Sequence, residues 1–75
     1  MKFIDSEVLA RLKYTYPPGT IVELIEMDDV HAPPPHTLGV VQAVDDAGSI
    51  LVKWENDSTL SLIYGVDKFI IHQID

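Results

Sequence analysis

Ile50-Leu51-Val52-Lys53-Trp54-Glu55, followed by Asn56-Asp57, is the stretch on which the fold turns. In an extended chain successive side chains point to opposite faces, so Ile50, Val52 and Trp54 share one side and Leu51, Lys53 and Glu55 the other. Asn56-Asp57 is a two-residue turn signal. It predicts a hairpin that returns through Ser58-Thr59-Leu60-Ser61-Leu62. Trp54 is expected inward, as a core residue.

The same period recurs on either side of that hairpin. Ile21 to Met27 places Val22 and Leu24 on one face, with Ile21, Ile25 and Met27 on the other. Leu38 to Val44 offers Leu38, Val40 and Val44 for the core, interrupted by Gln42. Lys68 to Ile74 sets Phe69 and Ile71 against Ile70 and Ile74. Eight Val and eight Ile outnumber seven Leu, and branching at Cβ favours a pleated surface. Turn residues divide the runs at Pro17-Pro18-Gly19, Asp28 to His36, Asp45-Asp46-Ala47-Gly48 and Tyr64-Gly65-Val66-Asp67.

The N-terminal segment reads differently. Asp5 is placed to cap a helix, and Ile4 and Leu9 stand where a hydrophobic staple needs them. Val8, Leu9 and Leu12 then share a helical face while Glu7, Arg11 and Lys13 point away. A helix over Ser6 to Tyr14 follows, ended by Tyr16-Pro17-Pro18, because proline disfavours helix in the residue before it. The expected fold is mainly β: a small five-stranded barrel preceded by one short α-helix. Residues 1–15 carry the helix and residues 16–75 the barrel, as one folding unit.

Length and charge exclude much. Seventy-five residues make one domain, which buries only about 60% of the surface of its unfolded chain. No cysteine is present, which removes disulfides and thiolate chemistry. Twelve acids against five Lys and Arg give a net charge of −7, the wrong sign for a phosphate backbone. No apolar run suits a membrane span, and Met1-Lys2-Phe3-Ile4-Asp5 meets an acid too early for a signal peptide. A cytoplasmic domain is expected.

The second apolar set, Ile21, Ile25, Leu51, Ile63, Ile70 and Ile74, finds no room inside a barrel. The helix stripe of Val8, Leu9 and Leu12 is expected to cover part of it. Three side chains do not cover six, so the remainder predicts a surface that meets a partner or a second copy.

Tyr16-Pro17-Pro18-Gly19-Thr20-Ile21-Val22-Glu23-Leu24-Ile25-Glu26-Met27-Asp28-Asp29 is distinctive in its own right. It is followed in order by Gly39-Val40-Val41, by Val44-Asp45-Asp46-Ala47-Gly48-Ser49-Ile50, and by Val52-Lys53-Trp54. Leu60-Ser61-Leu62 and Gly65-Val66-Asp67-Lys68-Phe69 complete the series. In order and spacing the chain resembles the domain of unknown function 4314 family of bacteria and their phages, over Tyr16 to Ile71. The resemblance implies an SH3-like small barrel and no assigned activity. Two features depart from the pattern: Asn56-Asp57 stands where Asn-Gly is usual, and Pro33-Pro34-Pro35 precedes His36.

Chemistry-bearing constellations are sparse. Asp28, Asp29, His31 and His36 include metal-ligand types, but their spacing matches no ligand pattern and prolines stiffen the span. No metal or cofactor is expected. Asp28-Asp29 and Asp45-Asp46 are neighbours on turns rather than carboxylates facing across a substrate. No nucleophile elbow and no phosphate loop occurs, so no enzyme is expected. Aromatic and acidic side chains together suit peptide recognition, which makes Asp28, Asp29, His31 and Tyr64 candidate partner contacts. Leu51 and Ile70 join them from the excess aliphatics. The leading expectation is a non-catalytic protein-interaction module of a bacterial or phage accessory protein. The alternatives are a self-associating dimeric subunit and an acidic mimic of nucleic acid.

Overall fold

The computed structural model describes residues 4–72. Ile74, assigned above to the outer aliphatic set, and the Met1 to Phe3 start of the helical segment lie outside those residues. Helix α1 spans Ser6–Thr15. Asp5 caps it as the sequence suggests: its Oδ1 accepts hydrogen bonds from the Glu7 and Val8 amides at 2.8 and 3.4 Å. Tyr16 donates its amide to the Leu12 carbonyl, and Pro17 prevents a further turn.

Five antiparallel strands follow: β1 (Ile21–Glu26), β2 (Leu38–Val44), β3 (Ser49–Trp54), β4 (Leu62–Ile63) and β5 (Lys68–Ile71). They form one sheet in the order β4-β3-β2-β1-β5. The sheet is open, which corrects the expected barrel: β4 and β5 are its edges and do not pair. The ladder is too short for closure, with two residues in β4 and four in β5. Short edge strands also limit the sticky surface that closure would otherwise have had to remove.

One face holds the core. Val22, Leu24, Val41, Ile50, Val52, Trp54 and Leu62 are buried together, with Tyr16, Met27, Val44 and Phe69 packed against them. The β3 alternation holds in full, since Ile50, Val52 and Trp54 are buried while Leu51, Lys53 and Glu55 are exposed. The Trp54 indole N–H donates to the Leu60 carbonyl at 2.9 Å, so the largest core side chain leaves no polar atom unpaired.

Two extra residues change the expected faces of β1 and β2. A bulge at Gln42 shifts the β2–β3 register between Val41 and Ala43. Each bulge adds one residue against its partner strand and so reverses the alternation beyond it. Val41 and Val44 therefore face the core, whereas Leu38 and Val40 lie on the outer face. A second bulge at Ile25 shifts the β1–β5 register between Leu24 and Glu26. It brings Met27 to the core side, where it packs against the buried cluster. Gly39 also faces inward: a Cβ there would stand 2.4 Å from Val52 Cγ1 and 2.6 Å from Trp54 Cε3.

The hairpin after β3 differs from a two-residue turn. Asp57 donates to the Trp54 carbonyl and Trp54 to the Ser58 carbonyl, which encloses Glu55-Asn56-Asp57 in the loop. Asp57 takes the left-handed conformation, with φ 68°. The chain then runs irregularly to Leu62, so the return strand begins later than Ser58. At the β2–β3 turn the expected chemistry is present. Asp45 Oδ1 accepts from the Ala47 and Ser49 amides, and Gly48 supplies φ 85°.

The helix does not cover the outer aliphatics. It packs on β2 at the β2–β3 turn, where Lys13 Nζ lies 3.4 Å from Asp46 Oδ1. A Cβ on Gly48 would meet Ile4 Cδ1 at 2.4 Å and Leu12 Cδ1 at 3.7 Å. Leu12 is buried there, Leu9 is half-buried and Val8 is exposed.

Candidate functional site

The outer face of the sheet can be built from the strand register. One row across it runs His72, Ile21, Val40, Lys53: Ile21 pairs with Val40, Val40 with Lys53, and the His72 amide donates to the Ile21 carbonyl. The adjacent row runs Ile70, Glu23, Leu38, Glu55. Ile21, Leu38 and Val40 meet in the middle. They floor a shallow depression of about 330 Å³ whose rim includes Lys53, Glu55 and Asp57. In antiparallel sheets with one solvated face, that face is normally polar. Here its centre is apolar and its rim is charged.

Glu23 marks the other side of the depression. His36 Nδ1 lies 2.8 Å from its Oε2 and His72 Nδ1 lies 3.5 Å from its Oε1. The hydrogen bond with His36 is the main cause that holds the Glu23 carboxyl below its ordinary 4.5; burial opposes it, and the bond with His72 assists. His36 is fixed in turn by its backbone, which donates to the Leu24 carbonyl at 2.6 Å and takes φ 73°. Among the described residues no three His, Asp or Glu side chains converge as metal ligands would. The two imidazoles flank Glu23 instead. On the far side of the rim, Glu55 Oε1 accepts from the Leu38 amide at 3.1 Å, which leaves the carboxylate tied to the sheet.

The sequence-derived candidates do not gather into one patch. Leu51 lies on β3 opposite Ala43, and Ile70 lies on β5 opposite Glu23. With β2 and β1 between them, they are separated by three strand spacings, or about 14 Å across the sheet. Both are exposed on the outer face, at opposite corners of it. Asp28, Asp29 and His31 sit on the connection between β1 and β2, all exposed. Asp29 spends one oxygen on the chain itself, since its Oδ1 accepts from the His31 amide at 2.7 Å. Buried Pro33 and buried Thr37 anchor the same loop, and the Thr37 hydroxyl donates to the Pro34 carbonyl at 2.6 Å. Tyr64 is exposed in the β4–β5 turn. Tyr16 is half-buried against Phe69, with ring centroids 5.4 Å apart. Burial pushes its phenol above 10.0, and the nearby Tyr64 adds in the same direction.

Sequence reasoning missed the centre of the depression, because Leu38 and Val40 read as core. The available signal was Gln42. Taken as an extra residue, it puts Val41 and Val44 on one face and frees Leu38 and Val40 for the other.

A family model described as a domain of unknown function, DUF4314, matches residues 5–72, nearly the whole chain. No curated protein and no solved structure matches.

Proposed function

We propose that this chain, which belongs to the DUF4314 family, is a non-catalytic protein-interaction module that binds a basic partner protein through the outer face of β1, β2 and β3. The observation that carries the reading is the apolar centre of that face, where exposed Val40 and half-buried Ile21 and Leu38 lie between charged side chains. Water gains nothing from such a surface, and covering it with a partner's apolar side chains contributes about 25 cal/mol per Å² removed from water. The net charge of −7 and the rim, where Glu55 and Asp57 outnumber Lys53 and Glu23 stands opposite Leu38 just outside, favour a partner that brings Lys or Arg. The same charge opposes a second copy, since two such chains repel before they touch.

A photoreactive side chain at position 40 tests this in the host. Crosslinks to one basic protein should form, and the purified pair should weaken by about tenfold or more with Val40→Asp while the melting temperature of the chain is unchanged. Crosslinks only between copies, with sedimentation that shows a dimer, would replace this reading with self-association. Affinity indifferent to Val40→Asp would refute it.

A further inference from the structure

The two edges of the sheet are finished differently. At β4 the edge is sealed by its own chain. The Ile63 amide donates to Asp67 Oδ2 at 2.8 Å, and the Ile63 carbonyl accepts from the Val66 and Asp67 amides. Neither outward backbone group of Ile63 remains for another strand to use.

At β5 the edge is open among the described residues. The His72 amide donates to the Ile21 carbonyl across the Val22–Ile71 pair, which makes that pair one whose own N–H and C=O point away from β1. Phe69, opposite Leu24, repeats the pattern two residues earlier. The Leu24 amide accordingly donates to Thr37, on the opposite side of β1 from β5. The amides and carbonyls of Phe69 and Ile71 therefore lie along the free edge, and among the described residues none has a partner there.

Both faces of this edge are apolar. Ile70 is exposed on the outer face beside Glu23. Ile71 lies on the core side, next to fully buried Val22, and still keeps 40% of its surface exposed. The core is thus left uncovered at the end of β5, where a sixth strand would cover it.

From this geometry we infer that the β5 edge accepts an extended segment of the partner protein by strand addition, a reading that rests on the interaction function proposed above. Four backbone groups at Phe69 and Ile71 supply the pairing. Alternate apolar side chains of the added segment cover Ile71 on the core side and Ile70 on the outer side. Lys or Arg in the segment is favoured by the net charge of −7 of the whole chain; beside the edge itself Glu26 Oε2 already lies 3.5 Å from Lys68 Nζ, and Glu23 is flanked by His36 and His72. The added strand extends the outer face of the sheet, so one partner can occupy both the edge and the depression. A symmetric β5–β5 pairing would offer the same hydrogen bonds but would unite two chains of charge −7.

Random peptides displayed on phage and selected against the full chain test this edge. Selected peptides should carry alternating apolar residues with Lys or Arg, and should shift and protect the Phe69 and Ile71 amides in NMR spectra. Methylating the backbone nitrogens of one alternate set of peptide positions should abolish binding, while methylating the other set leaves it intact. Ile71→Pro removes an outward N–H without removing a β1 hydrogen bond, and should weaken binding by about tenfold or more. Equal sensitivity to both methylation patterns, equal binding to Ile71→Pro, or sedimentation that shows the edge taken by a second copy would overturn the edge assignment. If Val40→Asp abolishes binding and the edge variants do not, strand addition fails and the outer-face reading stands. If no peptide is selected and position 40 yields no crosslink, both fail.

Discussion

The inner and outer faces of this sheet are made by the same strands and behave oppositely. On β3, Ile50, Val52 and Trp54 are excluded from water, while Leu51, Lys53 and Glu55, each one residue along, meet it. The inner face is fixed by volume: Gly39 is bare because the Trp54 ring occupies the space a methyl group would need. The outer face has no such constraint, and yet its centre holds Ile21, Leu38 and Val40 rather than polar residues. Packing explains the first set of residues. Packing does not explain the second, which is the surface the proposed partner would cover.

Substitutions on the two faces should separate accordingly. Trp54→Ala removes the largest core side chain and strands the Leu60 carbonyl, and should cost about 3–5 kcal/mol in urea unfolding. A melting temperature unchanged by that substitution would invert the assignment of faces. Gly39→Ala adds one methyl group against Val52 and the rigid Trp54 ring. Overpacking of that kind costs about 1–3 kcal/mol, and calorimetry should find a lower melting temperature with native secondary structure by circular dichroism. Val40→Asp, on the neighbouring residue but the other face, should change stability by under about 0.5 kcal/mol, in contrast to its effect on partner binding. A loss as large as that of Gly39→Ala would mean that Val40 supports the core.

The smallest effect is a pH dependence on the outer face. Native Glu23 titrates below its ordinary 4.5 because His36, and then His72, hold its charged form. A depressed native value stabilises the fold fully above the ordinary one, and that stabilisation is lost as pH falls through the lowered value. Glu23→Gln should therefore lower neutral stability by that contribution, leave stability below the window unchanged, and so flatten the acid limb of the curve. Urea midpoints measured from neutral pH downward check this, and an acid limb as steep as the native one would dissociate Glu23 from the two imidazoles.

Much of the fold was legible because local chemistry governs it. Asp5 caps α1 with its own side chain, Asp45 and Gly48 build the β2–β3 turn, and the period of two in β3 needs nothing beyond the strand itself. The errors of face share one cause. Gln42 and Ile25 each add a residue against a partner strand, and whether a residue is extra depends on what the partner supplies opposite it. Leu38, Val40 and Met27 fall on the wrong face when the alternation is continued through these bulges. The same limit applies to the candidate site. Leu51 and Ile70 are correctly placed on the outer face, but their separation depends on strand order, and the central role of Ile21 and Leu38 depends on register.

By itself the sequence determined which residues are greasy, where most of the turns fall, and that one short helix precedes five short strands. These follow from interactions spanning a few residues. Tertiary structure alone decided that the sheet stays open, that the helix sits on the β2–β3 turn instead of the outer face, and that Ile63 is sealed at one edge while, among the described residues, Phe69 and Ile71 are unpaired at the other. Each of those outcomes depends on hydrogen bonds between segments distant in the chain, whose partners no local pattern specifies.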